Sequence, residues 1–293
     1  MDTEKCRIIL SILKNGSMSA AAEELSYTQS GISRAVESLE REAGFPILRR
    51  GRGGARLTHE GEELLPAMKE LSFWAGQFGQ TAQKLRGVET GRLSVGSSYV
   101  KYFPWLTKVV SGFHESHPGV TVELCSGTST ELAERMSARE LDFAIISRRD
   151  GEFELCSVVR DGLVALLPPD HPMANSSGVD AHIFECEPYI EIHTGLQTDN
   201  SLCFAKRGIT PNLSFSTPDS FIACGMVRAG LGIALVNRVI ADELGGGVAC
   251  VPLDPPEDID ICIAVPSGDV ISPAAKSFAD YAFGFLETLD VSR

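Results

Sequence analysis

The apolar periodicity of this chain changes once along its length, and the change divides it. Up to Leu85 apolar residues recur at helical spacing, broken only by the Arg-Gly stretch RRGRGGARL at residues 49–57. After the breaker Gly87 to Gly91 (GVETG), short apolar runs alternate with helical stretches, the pattern of an α/β domain. Two architectures must share the chain, and 293 residues accommodate about two or three compact units at roughly 100 to 200 residues each.

The first part reads as three short helices and a hairpin. Cys6, Ile9, Leu10 and Leu13 form one stripe that stops at Asn15-Gly16. Ser19 is placed to cap a second helix through Leu25, in which Ala20, Ala21 and Ala22 allow a crossing helix to approach closely. Thr28 caps a third helix whose Ile32, Val36, Leu39 and Ala43 share a face and which Gly44 ends. The opposite face presents Gln29, Ser30, Ser33, Arg34 and Glu37. Gln bonds bidentately to adenine, Arg to guanine or phosphate, and Ser hydroxyls to backbone phosphates, so this row suits a major-groove reader. A solvated helix face gives the same pattern; the following Arg-Gly hairpin favours a winged helix-turn-helix, with Arg50 and Arg52 on the phosphate backbone.

Charge follows the same division. Residues 1–62 hold nine basic and nine acidic side chains, so the rest carries the whole net charge of −13. Residues 29–56 hold six Arg against three Glu, a local basic strip in a chain too acidic to coat nucleic acid non-specifically. No apolar run approaches the roughly 18 residues of a membrane helix, and the N-terminus has no secretory pattern, so a cytoplasmic protein is expected. The eight cysteines are scattered, with no C-x-x-C pair, which reads as reduced thiols; neither they nor His114 and His117 make a convincing metal set. G-x-S-x-G, G-x-G-x-x-G, P-loop and H-E-x-x-H signatures are absent, so an enzyme is disfavoured and no cofactor is expected.

Leu64, Met68, Leu71, Ala75, Phe78, Ala82 and Leu85 alternate spacings of four and three, a heptad seam over about three heptads. It implies a partner for this helix, either another copy or the helix's own domain. Beyond residue 91 the strand candidates are 93–97, 120–125, 143–147, 163–167, 189–192, 213–216, 233–236 and 259–265, which predict a parallel-rich sheet with crossover helices. Ligands in such sheets bind outside the carboxyl ends of strands. The loops there, 96–99, 127–130, 147–149, 191–194 and 217–219, are rich in Ser and Thr. Each hydroxyl could be a helix cap; several converging on one cleft would suit a small anion, particularly a carboxylate.

The stretch SMSAAAEELSYTQSGISRAVESLEREAG, followed by Arg49-Arg50 and then LTHEG, resembles the head of LysR-type transcriptional regulators over about sixty residues. The match includes the Ala-Ala pair, Gln29, Ser33, Leu39-Glu40, Gly44, Arg50, Thr58 and Gly61; Met18 and the Ile47-Leu48 pair depart from it by replacing aromatics with aliphatics. Weaker likeness extends to Leu141 to Ile146 and Val227 to Val236. The resemblance implies an all-α winged helix-turn-helix over residues 1–60, a linker and dimerisation helix over 61–88, and an effector-binding domain over 91–293. That domain would be two-lobed like periplasmic binding proteins, with lobe I about 91–162 and 266–293 and lobe II about 163–265. It implies a homodimer or homotetramer on a pseudo-palindromic operator of double-stranded DNA, switched by a small-molecule effector. Ser97, Ser98, Thr128, Ser129 and Thr130 would line one cleft wall, and Ile192, His193 and Thr217 the other. Peroxide-sensing members use two cysteines in the segment corresponding to His193 through Phe204; only Cys203 is present here, so their disulfide does not carry over. A small-molecule binding protein without regulatory output and a thiol sensor built on Cys203 are the alternatives.

Overall fold

The computed structural model describes residues 2–51, 54–85, 91–244, 246–268 and 271–289. They fall into two compact units, residues 1–89 and 90–293.

The first unit runs α1 (Thr3–Asn15), α2 (Met18–Glu24), α3 (Gln29–Ala43), β1 (Leu48–Gly51), β2 (Gly54–Leu57) and α4 (His59–Leu85). Asp2 caps α1 and Gly16 ends it in the left-handed region at φ 70°. The cap of α2 is Ser17 rather than Ser19: its extended backbone lets the hydroxyl accept the Ala20 N–H at 3.2 Å. Thr28 caps α3 by accepting the Gly31 N–H, and Gly44 closes it at φ 87°. Ile9, Ile12, Ala21, Ile32, Val36, Leu39 and Ile47 form the core, where the side-chain-poor Ala21 is fully buried. Glu40 Oε1 accepts the N–H groups of Ile47 and Leu48 at 2.8 and 3.0 Å, fixing how the chain leaves α3 for the β1–β2 hairpin.

Helix α4 divides the heptad seam. Met68 is 3% exposed inside the head's core, with Leu64 and Leu71 packed against it, so this end of the seam is covered within its own unit. Ala75 is exposed and Phe78 is 78% exposed. Ala82 is partly buried, and Leu85 is the last residue of the helix.

The second unit continues with β3 (Gly91–Ser97), α5 (Phe103–Ser116), β4 (Val120–Ser126), α6 (Ser129–Ser137), β5 (Phe143–Ser147) and β6 (Phe153–Leu167). Then follow α7 (Ile183–Cys186), β7 (Tyr189–Ile192), α8 (Asp199–Arg207), β8 (Leu213–Thr217), α9 (Ser220–Arg228) and β9 (Ala234–Asn237). The chain closes with α10 (Arg238–Leu244), β10 (Ala249–Pro252), β11 (Asp258–Pro266) and α11 (Pro273–Phe283). Strands β4, β3 and β5 are parallel, as are β7 and β8. Apart from two isolated parallel bridges, Val179–Leu253 and Tyr189–Ile233, the remaining pairings of this unit among the described residues are antiparallel, because β6 carries the chain out of the first lobe and β11 brings it back alongside. The sheet is therefore mixed rather than parallel-rich.

Strand β6 begins at Phe153, ten residues before the apolar run that marks it in the sequence. Its first part pairs with β11 and its last with β9 and β10, so one strand serves both lobes. The return occurs before residue 266: Ile261 to Ala264 already pair with β5, and Ile261 and Ile263 lie in the first lobe's core. Both faces of each lobe's sheet are covered. Phe143 and Ile145 enter one core while Ala144 and Ile146 enter another, and Leu163 and Ala165 alternate likewise with Val164 and Leu166. That two-sided burial is why these strands read as unbroken apolar runs.

Candidate functional site

The head offers one polar surface on a well-packed helix. With Ile32, Val36 and Leu39 buried, the geometry of α3 places Gln29, Ser30 and Arg34 on the exposed side, together with the cap Thr28. Ser33 is partly buried and donates to Glu37 Oε1 at 3.2 Å, while the Thr28 and Ser30 hydroxyls lie 3.2 Å apart. Arg50 stands in β1 opposite Ala55; Arg52 lies outside the described residues. Glu24 binds the α1 side chains Lys14, Ser11 and Asn15, and these bonds hold its carboxyl down to about 2, fixing α2 against α1.

In the second unit the loops at the strand ends converge on a cavity of about 90 Å³. Of the residues expected there, Ser98, Thr128, Ser129, Ile192 and His193 line it; Ser97, Thr130 and Thr217 do not. Ser97 is fully buried beneath its own turn, donating to Tyr99 O at 2.9 Å and accepting the Tyr99 N–H at 3.1 Å. Thr217 closes a turn with Asp219 in the same way. Thr130 instead accepts Arg149 Nε at 3.0 Å. Thr128 both lines the cavity and caps α6, completing a reciprocal pair with Glu131. His193 holds a left-handed backbone, φ 59°, at the end of β7 and donates its N–H to Thr217 O.

The groups with the strongest chemistry are not among the individually expected lining residues, although Tyr99, Ser147 and Arg149 stand in loops that the sequence indicates. Arg149, at the end of β5, and Asp199, the first residue of α8, pair at 2.8 Å with each side chain only 10% exposed. Ser129 Oγ donates to Ser98 Oγ at 3.0 Å and accepts the Ser147 N–H at 2.9 Å, so the hydroxyls form a connected wall. Burial, reinforced by the charge of Asp199, pushes the Tyr99 phenol well above its ordinary range, so it remains a neutral donor. Strand-end logic points to the 147–149 loop, but nothing local marks Asp199, which is 50 residues away from its partner.

Cys203 is buried in the second lobe's core, where burial raises its thiol pKa and so disfavours the reactive thiolate. The His117 ring stacks on Phe113 with centroids 4.2 Å apart. Among the described residues no group of three or more His, Cys, Asp or Glu is placed to hold a metal, and no helix is long and apolar enough to cross a membrane.

Residues 3–62 match the family model of the bacterial regulatory helix-turn-helix protein, lysR family, and residues 86–285 match that of the LysR substrate binding domain. The chain is 27% identical over 285 residues to the uncharacterized HTH-type transcriptional regulator YvbU of Bacillus subtilis, covering 96% of this chain and 98% of that one. It is 27% identical over 236 residues to the HTH-type transcriptional regulator CfxR of Cupriavidus necator, covering 79% and 74%. Its fold resembles a full-length OxyR variant from Pseudomonas aeruginosa (TM-score 0.71, 19% identity, 100% and 97% of the two chains). It also resembles full-length CbnR complexed with its target DNA (TM-score 0.60, 19% identity, 97% and 99%). The two family models account for nearly the whole chain, which therefore belongs to the LysR family of transcriptional regulators, with a DNA-binding helix-turn-helix head and an effector-binding domain rather than a catalytic one.

Proposed function

We propose that α3 reads an operator through Gln29, with Ser30, Ser33 and Arg34 dividing base and phosphate contacts, Thr28 at the helix start, and Arg50 and Arg52 on the backbone. The observation that carries this is the polar, exposed face of Gln29, Ser30 and Arg34 opposite the buried stripe of α3. Two copies bind a pseudo-palindrome, as a dimer or a tetramer, through the outer part of α4. Met68, Leu64 and Leu71 are engaged in the head's own core, so among the described side chains Ala75, Phe78 and Ala82 are the seam left to pair, and the heptad spacing continues to Leu85. A small effector enters the cleft at Ser98, Thr128, Ser129, Ile192 and His193 and biases the lobes between arrangements, altering the spacing of the two heads. The protein acts in the cytoplasm, where its operator lies.

The test selects duplexes from sheared source DNA with the purified protein at near-physiological salt and sequences the retained fragments. A shared pseudo-palindrome is expected. Gln29→Ala should relax preference at one base pair of each half-site, by about 1–3 kcal/mol of lost discrimination. An unchanged sequence preference in that variant would refute the docking of α3.

A further inference from the structure

The effector cleft already contains a carboxylate, and it is the protein's own. Asp199 Oδ1 accepts Arg149 Nη2 at 2.8 Å and Ser147 Oγ at 2.7 Å; Oδ2 accepts Asn237 Nδ2 at 3.1 Å and the Tyr99 hydroxyl at 3.4 Å. Arg149, Ser147 and Tyr99 belong to the first lobe, whereas Asp199 and Asn237 belong to the second. One carboxylate therefore fills a nest of four donors across the cleft.

The first-lobe donors Arg149 and Ser147 are also held by partners other than Asp199. Arg149 is held through Nε by Thr130 Oγ1 at 3.0 Å and through Nη1 by Ser147 Oγ at 2.8 Å and the Arg148 carbonyl at 2.9 Å. Ser147 is in turn held at its N–H by Ser129. With Nε and Nη1 anchored in this way, Nη2 is the nitrogen aimed at the anion, and it makes a single charge-assisted hydrogen bond to it. Besides hydroxyls and aliphatics, His193, Asn200 and Asn237 line the adjoining cavity, and among the described residues Arg149 is its one Arg or Lys and Asp199 its one carboxylate. While Asp199 is seated, an incoming anion finds no uncompensated positive charge.

We propose that Asp199 is a built-in occupant of an anionic subsite, and that the effector carries a carboxylate that takes its place on Arg149, Ser147 and Tyr99. This rests on the cleft being the effector site. Displacement leaves the effector bound to the first lobe and releases the start of α8 from it, so ligand exchange and lobe movement become one event. The differential contact that a ligand needs in order to shift a conformational equilibrium is then the exchange of one carboxylate for another. The subsite favours small monocarboxylates or the carboxylate end of a larger molecule, because the space beside the pair is only about 90 Å³ before Asp199 leaves.

The test uses the full chain and sodium acetate as probe, with acetamide as the neutral control and chloride at matched ionic strength. Asp199→Ala should melt below wild type, and acetate but not acetamide should raise its melting temperature. Acetate should bind this variant about tenfold or more tighter than wild type, the range expected when a charge-assisted pair becomes available. Adding Arg149→Met should abolish the rescue. Equal acetate affinity in wild type and Asp199→Ala, or rescue that persists without Arg149, would overturn the proposal. Should Asp199→Ala not fold, Asp199→Asn keeps the shape and removes the charge, and it too must bind acetate more tightly than wild type. Operator affinity measured alongside separates the two readings: acetate filling the nest without changing operator binding would uphold the carboxylate subsite and refute the cleft as the effector switch.

Discussion

Asp142 offers a quantitative check on how the first lobe is built. It sits just before β5, and its carboxylate Oδ2 accepts the Ser94 N–H at 2.8 Å while its own N–H donates to Ser94 O at 2.8 Å, binding this turn to β3. Burial pushes its carboxyl up to about 6, against the Ser94 bond, which pulls the other way. The folded state thus holds this proton more tightly than the unfolded chain, whose carboxyl titrates near an ordinary value of about 3.9. Below that value the contribution to stability is complete; it is lost as pH rises through the window from about 4 to about 6, where the unfolded chain ionises first. The roughly hundredfold difference in proton affinity bounds the loss at about 3 kcal/mol, and because the Asp142 residue retains some solvent exposure, screening reduces it to about 1–2 kcal/mol. Asp142→Asn keeps an acceptor for the Ser94 N–H and cannot ionise. Urea unfolding would be followed by the fluorescence of the buried Trp105 in a Trp74→Phe background, so that only the second unit is read. The stability of the Asn variant relative to wild type should grow by about 1–2 kcal/mol between pH 4 and pH 7. A difference that is flat over that range, or shrinks, would refute the argument; taking the difference also removes Asp161, whose carboxyl is likewise raised by burial.

Gly61 sits in the first turn of α4, where an added Cβ would lie 2.3 Å from the Ile47 carbonyl oxygen and 3.0 Å from Leu57. That carbonyl already accepts the Thr58 N–H at 2.9 Å and cannot swing aside freely. Gly61→Ala should destabilise the head by about 2 kcal/mol even after the roughly 1 kcal/mol gain in helix propensity; an unchanged or raised urea midpoint would show that the crossing is looser than this. Phe78→Glu should break self-association in sedimentation velocity. Two Phe rings at about 1.5 kcal/mol or more each raise the dissociation constant by about two orders of magnitude, and an unaltered mass at micromolar protein would exclude this stretch of α4 from the interface.

What was legible in the sequence follows the range of the interactions involved. The helices of the head are fixed by caps and stripes a few residues apart, and Asn15-Gly16, Thr28 and Gly44 act where local chemistry puts them. Ser17 and Ser19 are equivalent to a capping rule, and only the backbone path decides between them. The resemblance picked out Glu40 and Gly61 without a reason; the reasons are contacts with Ile47 across the start of the wing, seven and fourteen residues along the chain. The heptad spacing of α4 was visible, but spacing cannot say what covers a stripe, and Met68 turned out to be covered by its own head.

In the second unit legibility failed where local pattern and long-range partner diverge. The apolar end of β6 is buried on both faces and announces itself. Its first half is partly exposed and mixed in polarity, and it is a strand because β11, about a hundred residues later, pairs with it. The cleft shows the same limit more sharply. Hydroxyl-rich loops identified its rim, yet Ser97 and Thr217 turn out to close their own turns, since Ser and Thr satisfy neighbouring backbone as readily as they face a ligand. Arg149 stood in an indicated loop, but its chemical meaning depends on Asp199, which in the sequence is merely the acidic residue following a helix cap, a place where acids are common for electrostatic reasons of their own. Two side chains with independent local justifications acquire a joint function only when the crossing strands fold one lobe over the other. The charge balance of the cleft is therefore a property of the topology, and a sequence reading that counts its loop residues will predict an open anion site where the fold has already supplied an anion.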